Sequence, residues 1–574
     1  MRPTRPRAPV RFSRNGRFAS ALPGETLAQS LSRDGPRSLA RSIRYHRPRG
    51  PFCGLGQCTG CLMTVNGVPN VRACQTVPQE GDDVRDQNAW PSVEHDLLAL
   101  FDRLFPRHLD TLHGFRRPGF LVPAYQRVVR RLAGYGRLPP PYASPPLVAP
   151  RLEWKADVLV VGSGRTGSAL AGKLARAAPR ASVLLVDRRR EGSPLPEDPP
   201  PNLRVHRGAT LVFLPPPRAG LFQGLLSLES GGTVDVETPY VVLTPGAYDG
   251  SLVFSGNDRP QVFTGDGALA LSPSGAAGPF RRVALVGTGA RAQEIFDRLG
   301  SRVAYVISLF PLEPPERQAW EARGPRVLDA RLLLRARGGH ELKDLQLKDR
   351  RTGALERLTV DAVILATRRL PNVPLFFQAG AAMHWRSGGG AYYPVLSPNG
   401  ATSVPGLYAA GSAVGYERSS ASPGLEDRVV ETLRCRLEGQ EPPQWEAPVP
   451  GRVTEEGRNP LVPYYHEWLL AGARGKALLC PCEDVVVEEL DEAVHEGFRG
   501  MEEIKRVTGA GTGLCQGRYC LPETLLLLSL FQGLPPQELG FITQRPPAWP
   551  TPVGGLAATL PGPSGSAWET GGSP

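Results

Sequence analysis

The sequence predicts a multidomain α/β and α+β protein: a small β-grasp domain first, then a core of two dinucleotide-binding (Rossmann-like) folds, then a small helical cysteine-rich domain. Three observations predict it. A glycine-rich loop, Cys53-Gly-Leu-Gly-Gln-Cys58-Thr-Gly-Cys61, is closed by Cys74; apolar strands run into Gly-x-Gly turns at Gly162 and again at Gly287; and a second cysteine quartet, Cys480, Cys482, Cys515 and Cys520, lies near the C-terminus. With 574 residues the chain has room for three or four domains.

Residues 1–89 carry the first quartet. Spacings of x4 and x2, with twelve residues between the third cysteine and the fourth, match the loop of plant-type [2Fe–2S] proteins except for the shorter last gap. Gly54, Gly56 and Gly60 are expected to allow positive φ and to bring backbone N–H groups to the sulfurs. Zinc or structural thiols are the alternative, but zinc favours paired short spacings. Around the loop, Val10–Arg17 predicts a hairpin turning at Asn15-Gly16, Glu25–Leu31 has helical apolar spacing, and Asn66-Gly67 marks a second hairpin. These are the parts of a β-grasp, ferredoxin-like domain. Ahead of the loop, Arg41-Ser-Ile-Arg-Tyr-His-Arg-Pro-Arg-Gly50 reads as a site for a flavin phosphate or an acidic partner, or as a solvated basic loop.

Residues 90–150 are expected to form a connector of two or three helices and a Pro-rich linker over 138–150. There follows Ala156-Asp-Val-Leu-Val-Val-Gly162-Ser163-Gly164-Arg-Thr-Gly167, a strand into G-x-G-x-x-G at a helix start, and a second strand ending in Asp187. The glycines allow close approach of a pyrophosphate to the helix N-terminus, and Asp187 is placed to accept from ribose hydroxyls. The second copy keeps Gly287 and Gly289, has Ala292 for the third glycine, and ends its next strand in Ser308 rather than an acid. NAD(P), another adenine nucleotide and an empty structural remnant all remain open for it.

The second quartet is C-x-C followed by C-x4-C, with helical starts expected at Asp484 and Gly500 and a glycine-rich turn at 508–513 to bring N–H groups to sulfur; zinc is again the alternative. The tail over 535–574 is rich in Pro and Gly and is expected to wrap a surface or stay disordered.

Composition narrows the function. The formal charge of +12 comes from arginines spread along the chain, which argues against nucleic-acid binding. No signal peptide is visible, and the apolar run Leu525–Phe531 is too short to span a bilayer, so a cytoplasmic protein is expected, with peripheral membrane contact left open. Eight of nine cysteines fall into the two quartets, leaving Cys435, and metal ligation explains them better than disulfides. No cysteine lies between Cys74 and Cys435, which excludes a redox-active disulfide in the core. The histidines show no triad or metal spacing, and no general base is assigned.

The paired folds resemble the two-dinucleotide-binding-domain flavoproteins. Tyr240–Ala247, with Thr244 and Gly246, looks like their linking A-T-G turn. Val360–Thr367 with Leu370-Pro-Asn looks like its second copy, and Val404–Ser412, with Gly411 and Ser412, looks like the closing flavin motif, with Ser412 where the family has Asp. The resemblance implies FAD in the first fold (151–279 and 371–450) and a nicotinamide nucleotide in the second (280–370). Residues 451–534 resemble a bacterioferritin-associated-ferredoxin [2Fe–2S] domain. The whole order, with Arg41–Gly50, Gln87-Asn-Ala-Trp-Pro-Ser and Cys480-Pro-Cys-Glu-Asp-Val, resembles the α subunit of heteromeric sarcosine oxidases, proline and hydroxyproline dehydrogenases, opine oxidases and hydrogen cyanide synthase. That family implies two [2Fe–2S] clusters, a catalytic β subunit with a second flavin and, in some members, FMN between subunits. It implies an electron-transfer subunit for amino-acid or amine oxidation. The competing readings are a self-sufficient NAD(P)H-dependent reductase and a non-catalytic assembly subunit.

Overall fold

A computed structural model describes residues 8–551, apart from 35–36, 106, 109–119, 121–122, 124–150, 191, 195–197, 273–278, 416–423, 446–460 and 473–475. The helices and linker expected between 106 and 150 thus fall mostly outside the described residues, and from Trp90 onward a short helical segment over 97–104 is seen.

Asn-Gly pairs open the first sheet. Asn15 and Gly16 have φ of 51° and 76°, and Asn66 and Gly67 of 50° and 79°, the left-handed pairs that match hairpin twist. They join β1 (Val10–Arg14) to β2 (Arg17–Ala21) and β3 (Leu62–Val65) to β4 (Val68–Arg72). With β5 (Asp83–Arg85) the order is β2-β1-β5-β3-β4, and α1 (Leu27–Asp34) packs its Leu27, Ala28 and Leu31 into the same core as Cys61 and Cys74.

Continuous apolar runs make the inner strands of the two central sheets, as expected for parallel strands covered on both faces. β6 (Val158–Val161), β7 (Val183–Asp187), β8 (Leu203–Arg207), β9 (Tyr240–Leu243) and, far along the chain, β15 (Leu407–Ala409) pair in parallel in the order β8-β7-β6-β9-β15. Between β9 and β15 the chain builds a second parallel sheet from β10 (Val262–Thr264), β11 (Val283–Val286), β12 (Val303–Ile307), β13 (Arg326–Leu328) and β14 (Ala362–Leu365), ordered β10-β14-β11-β12-β13. Each sheet sends its first Gly-x-Gly turn into a helix: α2 (Arg165–Ala177) after β6, and α4 (Ala290–Leu299) after β11. A short helix, α3 (Gly265–Leu271), follows β10, capped by the Thr264 hydroxyl accepting from the Gly267 N–H at 3.1 Å.

The C-terminal part has α5 (Val487–His495), α6 (Met501–Thr508) and α7 (Leu521–Gln532). Gly500 is the N-cap of α6, but the helix expected from Asp484 starts at Val487. Asp484 instead has φ of 53° and a buried carboxylate that ion-pairs with Arg49 and accepts from the Arg44 N–H at 2.8 Å. The apolar run of α7 is core: Leu525 to Leu528 are fully buried. Among the described residues no helix is long and apolar enough to cross a membrane. The described part of the tail, to Thr551, wraps back onto the first nucleotide fold, Ala548 N–H donating to Val212 at 2.6 Å.

Candidate redox centre

Cys53, Cys58, Cys61 and Cys74 are all buried and none is in a disulfide. Their thiols touch: Cys58 and Cys74 donate to Cys53, and Cys74 also to Cys61. At Cys53 burial raises the thiol pKa, but those bonds and the Leu55 and Cys58 N–H groups outweigh it and drive it well below the ordinary range. Cys58 is pushed well up, first by donating to Cys53 and then by burial, and Cys74 by donating to Cys53 and Cys61 ahead of burial. Gly54 and Gly56 take φ of 63° and 68°, which lets Leu55 N–H reach the Cys53 sulfur at 3.4 Å. Gly60 corrects the expectation of positive φ: it is needed for space, since a Cβ there would stand 2.4 Å from the Gly50 carbonyl oxygen.

In the second quartet Cys515 donates to Cys482 and Cys520 to Cys480, again with every sulfur buried and free. The bond from Cys515 leads in lowering Cys482, against burial; donation, then burial, pushes Cys515 and Cys520 well up. The backbone donor to Cys515 is Gly517 rather than a residue of the 508–513 turn, because Gly517 lies two residues beyond it at φ 79°. Among the described residues no three His, Cys, Asp or Glu side chains converge to hold a metal ion. Each quartet offers four neighbouring, buried thiols free of disulfides, and a two-iron cluster takes four thiolates, so this donor set fits a [2Fe–2S] group.

The quartets adjoin. The Thr59 hydroxyl and N–H both bond Cys482, and Tyr519, next to Cys520, donates its hydroxyl to Gln57 at 2.8 Å and meets Phe52 edge-on at 5.3 Å.

Beside the first quartet lies a cavity of about 570 Å³, within the range of about 300–1,000 Å³ that buries small-molecule ligands. Gly162, Gly164, Gly167, Asp187, Thr244, Gly246, Gly411 and Ser412 all line it. Ser163 is fully buried behind the wall and donates its N–H to Asp187 at 2.5 Å, so Asp187 also braces the glycine turn. Further wall residues not expected from sequence include Leu55 and Gln57 from the cysteine loop, Arg188, Asp266, Arg291, Arg369 and Trp549, and Asn372 of the Leu370-Pro-Asn motif lines it as well. Arg188 follows Asp187 and donates to the Leu55 carbonyl at 2.9 Å; burial lowers its pKa to about 10. Its position after the strand-end acid was a usable signal, whereas Trp549 in the tail had none.

Gly287 and Gly289 do not line this cavity. In the second fold Arg291, in the first turn of α4, reaches across to Asp249 at 2.7 Å and Asp266 at 2.5 Å. Ser308 is buried and accepts from the Phe310 N–H at 3.3 Å.

The Arg41–Gly50 segment is not a solvated loop, and the acidic groups it meets belong to this same chain. Arg41, His46, Arg47 and Arg49 are buried: Arg47 and Arg49 hold Asp258 at 3.1 and 2.8 Å, Arg49 also pairs with Asp484, Arg44 holds Glu489 at 2.6 Å, and His46 bonds Asp96 at 2.9 Å. Burial raises the Asp258 pKa, but Arg47 and Arg49 hold it below the usual carboxylate range. The segment clamps the cysteine-rich C-terminal part to the N-terminal sheet.

Residues 7–89 match the 2Fe-2S iron-sulfur cluster binding domain family, and residues 474–560 the sarcosine oxidase A3 domain family. The chain is 28% identical to the α subunit of sarcosine oxidase from Rhizobium meliloti over 96% of its own length and 58% of that protein's. It is 28% identical to an opine oxidase subunit of the same organism over 35% and 44% of the two chains. Over 82 residues it is 39% identical to the HcnA subunit of hydrogen cyanide synthase from Pseudomonas aeruginosa, covering 78% of that subunit. The chain thus spans about half the length of the first two relatives. The crystal structure of L-proline dehydrogenase from P. horikoshii superposes with a TM-score of 0.66 at 20% identity, covering 97% of this chain and 100% of that one, and shows a shared multidomain fold. The chain belongs to the family that contains the sarcosine oxidase α subunits, their opine oxidase counterparts and the HcnA subunit of hydrogen cyanide synthase.

Proposed function

We propose that this chain is the FAD- and iron–sulfur-containing electron-transfer subunit of a heteromeric amino-acid or amine dehydrogenase or oxidase acting on CH–NH or CH–NH2 donors of the sarcosine, proline, hydroxyproline or opine type. One observation carries the reading: Leu55 and Gln57, from the loop between Cys53 and Cys58, form part of the wall of the nucleotide-sized cavity, while Thr59 of the same loop bonds Cys482 of the second quartet. A flavin there would accept two electrons together and release them singly to clusters that carry one each. The Gly162–Gly167 turn is where its pyrophosphate would sit, at the N-terminus of α2, with Asp187, Thr244, Gly246, Gly411 and Ser412 as further contacts. Cys53, Cys58, Cys61 and Cys74 would ligate one cluster, and Cys480, Cys482, Cys515 and Cys520 the other. Burial of both quartets limits the access of water to the sulfurs.

On this reading the substrate is oxidised at a second flavin in a partner β subunit, with FMN at the interface as a further option, and the assembly is cytoplasmic. The second nucleotide fold is structural: its Arg291 is committed to Asp249 and Asp266, and Ser308 supplies no carboxylate for a ribose. Purifying the chain alone and with its co-purifying partner, assaying flavin, iron and sulfide, and adding NADH, sarcosine, proline or an opine without oxygen tests this. Bleaching by an amine only when the partner is present is expected; bleaching of the isolated chain by NADH overturns the relay in favour of a self-sufficient reductase, and redox-silent cofactors overturn it in favour of an assembly subunit.

A further inference from the structure

Arg518 lies between Cys515 and Cys520, and its surroundings are unusual for a cation. It is only 6% exposed. Its guanidinium stacks 4.0 Å from the Trp549 ring centroid, donates to Asn372 Oδ1 at 2.9 Å, and donates to the Ala548 carbonyl. Every one of these acceptors is neutral, and among the described residues no carboxylate forms an ion pair with it. A second cation, Arg188, lies over the same ring at 4.3 Å, which adds like-charge repulsion. A buried guanidinium without a compensating anion is costly, so the fold should place negative charge near it.

Trp549 and Asn372, which hold the guanidinium, line the nucleotide cavity, whereas Arg518 itself lines a separate, much smaller cavity with Tyr248, Gln516 and Gly517. Both quartets are near: the Arg518 N–H donates to the Cys515 carbonyl at 3.4 Å, and Arg188, over the same Trp549 ring, donates to the carbonyl of Leu55, two residues from Cys53. The neighbouring Tyr519 ties the same loop to Phe52 and Gln57 on either side of Cys53.

We propose that Arg518 is a positioning residue for charge, the fixed counter-ion that favours electron residence on both cysteine-bound centres; this rests on the reading that each quartet holds a [2Fe–2S] cluster. Each electron added to such a centre makes it more negative by one charge, with no proton or bond change required, and a cation fixed near both lowers the cost at each. Trp549 and Asn372 hold the guanidinium there without neutralising it, as a carboxylate would.

The test is a potentiometric titration of the purified holoprotein with dithionite, followed by EPR, with iron, sulfide and flavin assayed on the same samples. Arg518→Gln is expected to weaken reduction of both centres about tenfold, a fall of about 59 mV for one electron. Arg518→Lys, which keeps the charge, is expected to lose less than half of that. Asn372→Asp leaves Arg518 in place but neutralises it, and is expected to lower both potentials in the same direction; it carries the test if Arg518→Gln does not fold. Wild-type potentials in Arg518→Gln or in Asn372→Asp overturn the proposal, as does an equal fall in Arg518→Lys, which would make the role one of packing. Wild-type protein that holds flavin but neither iron nor sulfide overturns the parent reading of the cysteines instead.

Discussion

Gly162 and Gly287 open turns of nearly the same shape, with φ of 106° and 126°, and at both a Cβ would strike a neighbouring carbonyl oxygen, that of Thr244 at 2.2 Å or of Ala366 at 2.3 Å. Gly164 and Gly289 are equally alike: each is an N-cap with φ of −68°, and at each a Cβ would meet nothing within 4 Å. The surroundings diverge. Before α2 the space widens into the cavity, whereas the first turn of α4 sends Arg291 into a cluster with Asp249, Asp266 and Glu294 and so contributes to the wall of the other fold's cavity. Close packing of strand, turn and helix demands the first glycine in both copies. Binding depends on what the loops beyond the helix start leave open, and that is where the second copy has changed.

Gly167→Ala should have the largest effect. A Cβ at 167 would sit 1.8 Å from the Gly162 carbonyl oxygen, so the turn and helix must separate; a loss of about 3 kcal/mol of stability and of all bound flavin is expected, read by thermal unfolding and by flavin absorbance. The second copy carries Ala292 at the matching place, fully buried, so its helix and turn already stand apart enough for a methyl group. Retention of flavin by Gly167→Ala would break the distinction between the copies.

Arg291→Ala comes next. It would leave the fully buried Asp249 carboxylate with Arg369 at 3.2 Å as its remaining ion-pair partner, and a loss of about 2 kcal/mol is expected from urea denaturation. Were the second turn a nucleotide site in which Arg291 binds phosphate, the same substitution would weaken NADH binding and leave stability nearly unchanged. Gly164→Ala and Gly289→Ala then sharpen the contrast, because their backbones tolerate a methyl equally. Gly164→Ala is expected to weaken flavin binding about tenfold, or about 1.4 kcal/mol, in a fluorescence titration, whereas Gly289→Ala should leave flavin affinity unchanged and stability within about 0.5 kcal/mol.

Legibility in the sequence followed the range of the interactions. The hairpins at Asn15-Gly16 and Asn66-Gly67, both glycine turns and the two cysteine quartets are local patterns, and the structure brings eight of the expected nucleotide contacts, from Gly162 to Ser412, onto one cavity. The burial of the basic segment Arg41–Gly50 is not legible locally, because the carboxylates that neutralise it, Asp258 and Asp484, lie 209 and 435 residues from Arg49. Composition shows a cation and hides a distant anion. Trp549 failed for a related reason: a Pro- and Gly-rich tail has no periodicity to show that one aromatic will be stacked between two arginines at a cavity wall. The contact of Thr59 with Cys482, which joins the quartets, likewise spans nearly the whole chain.

The smallest expected effect is a difference in pH dependence at the seam between the two folds. Asp266 lines the cavity and faces Asp249, Arg291 and Arg369; burial, and then the charge of Asp249, push its carboxyl up to about 6, although Arg369 and Arg291 pull the other way. An acid whose folded pKa lies above its unfolded value binds its proton more tightly when folded, so stability falls as pH rises from the ordinary value of 3.8 towards 6 and levels off above that. Asp266→Asn has no proton to lose at this site. Relative to that variant, wild-type protein should lose about 1 kcal/mol of stability between pH 5 and 7, read as diverging urea midpoints with similar slopes. Parallel pH profiles would mean that Arg291 and Arg369 fully compensate the charge, and that the seam between the folds is an ordinary ion-pair network rather than one holding a carboxyl at its neutral edge.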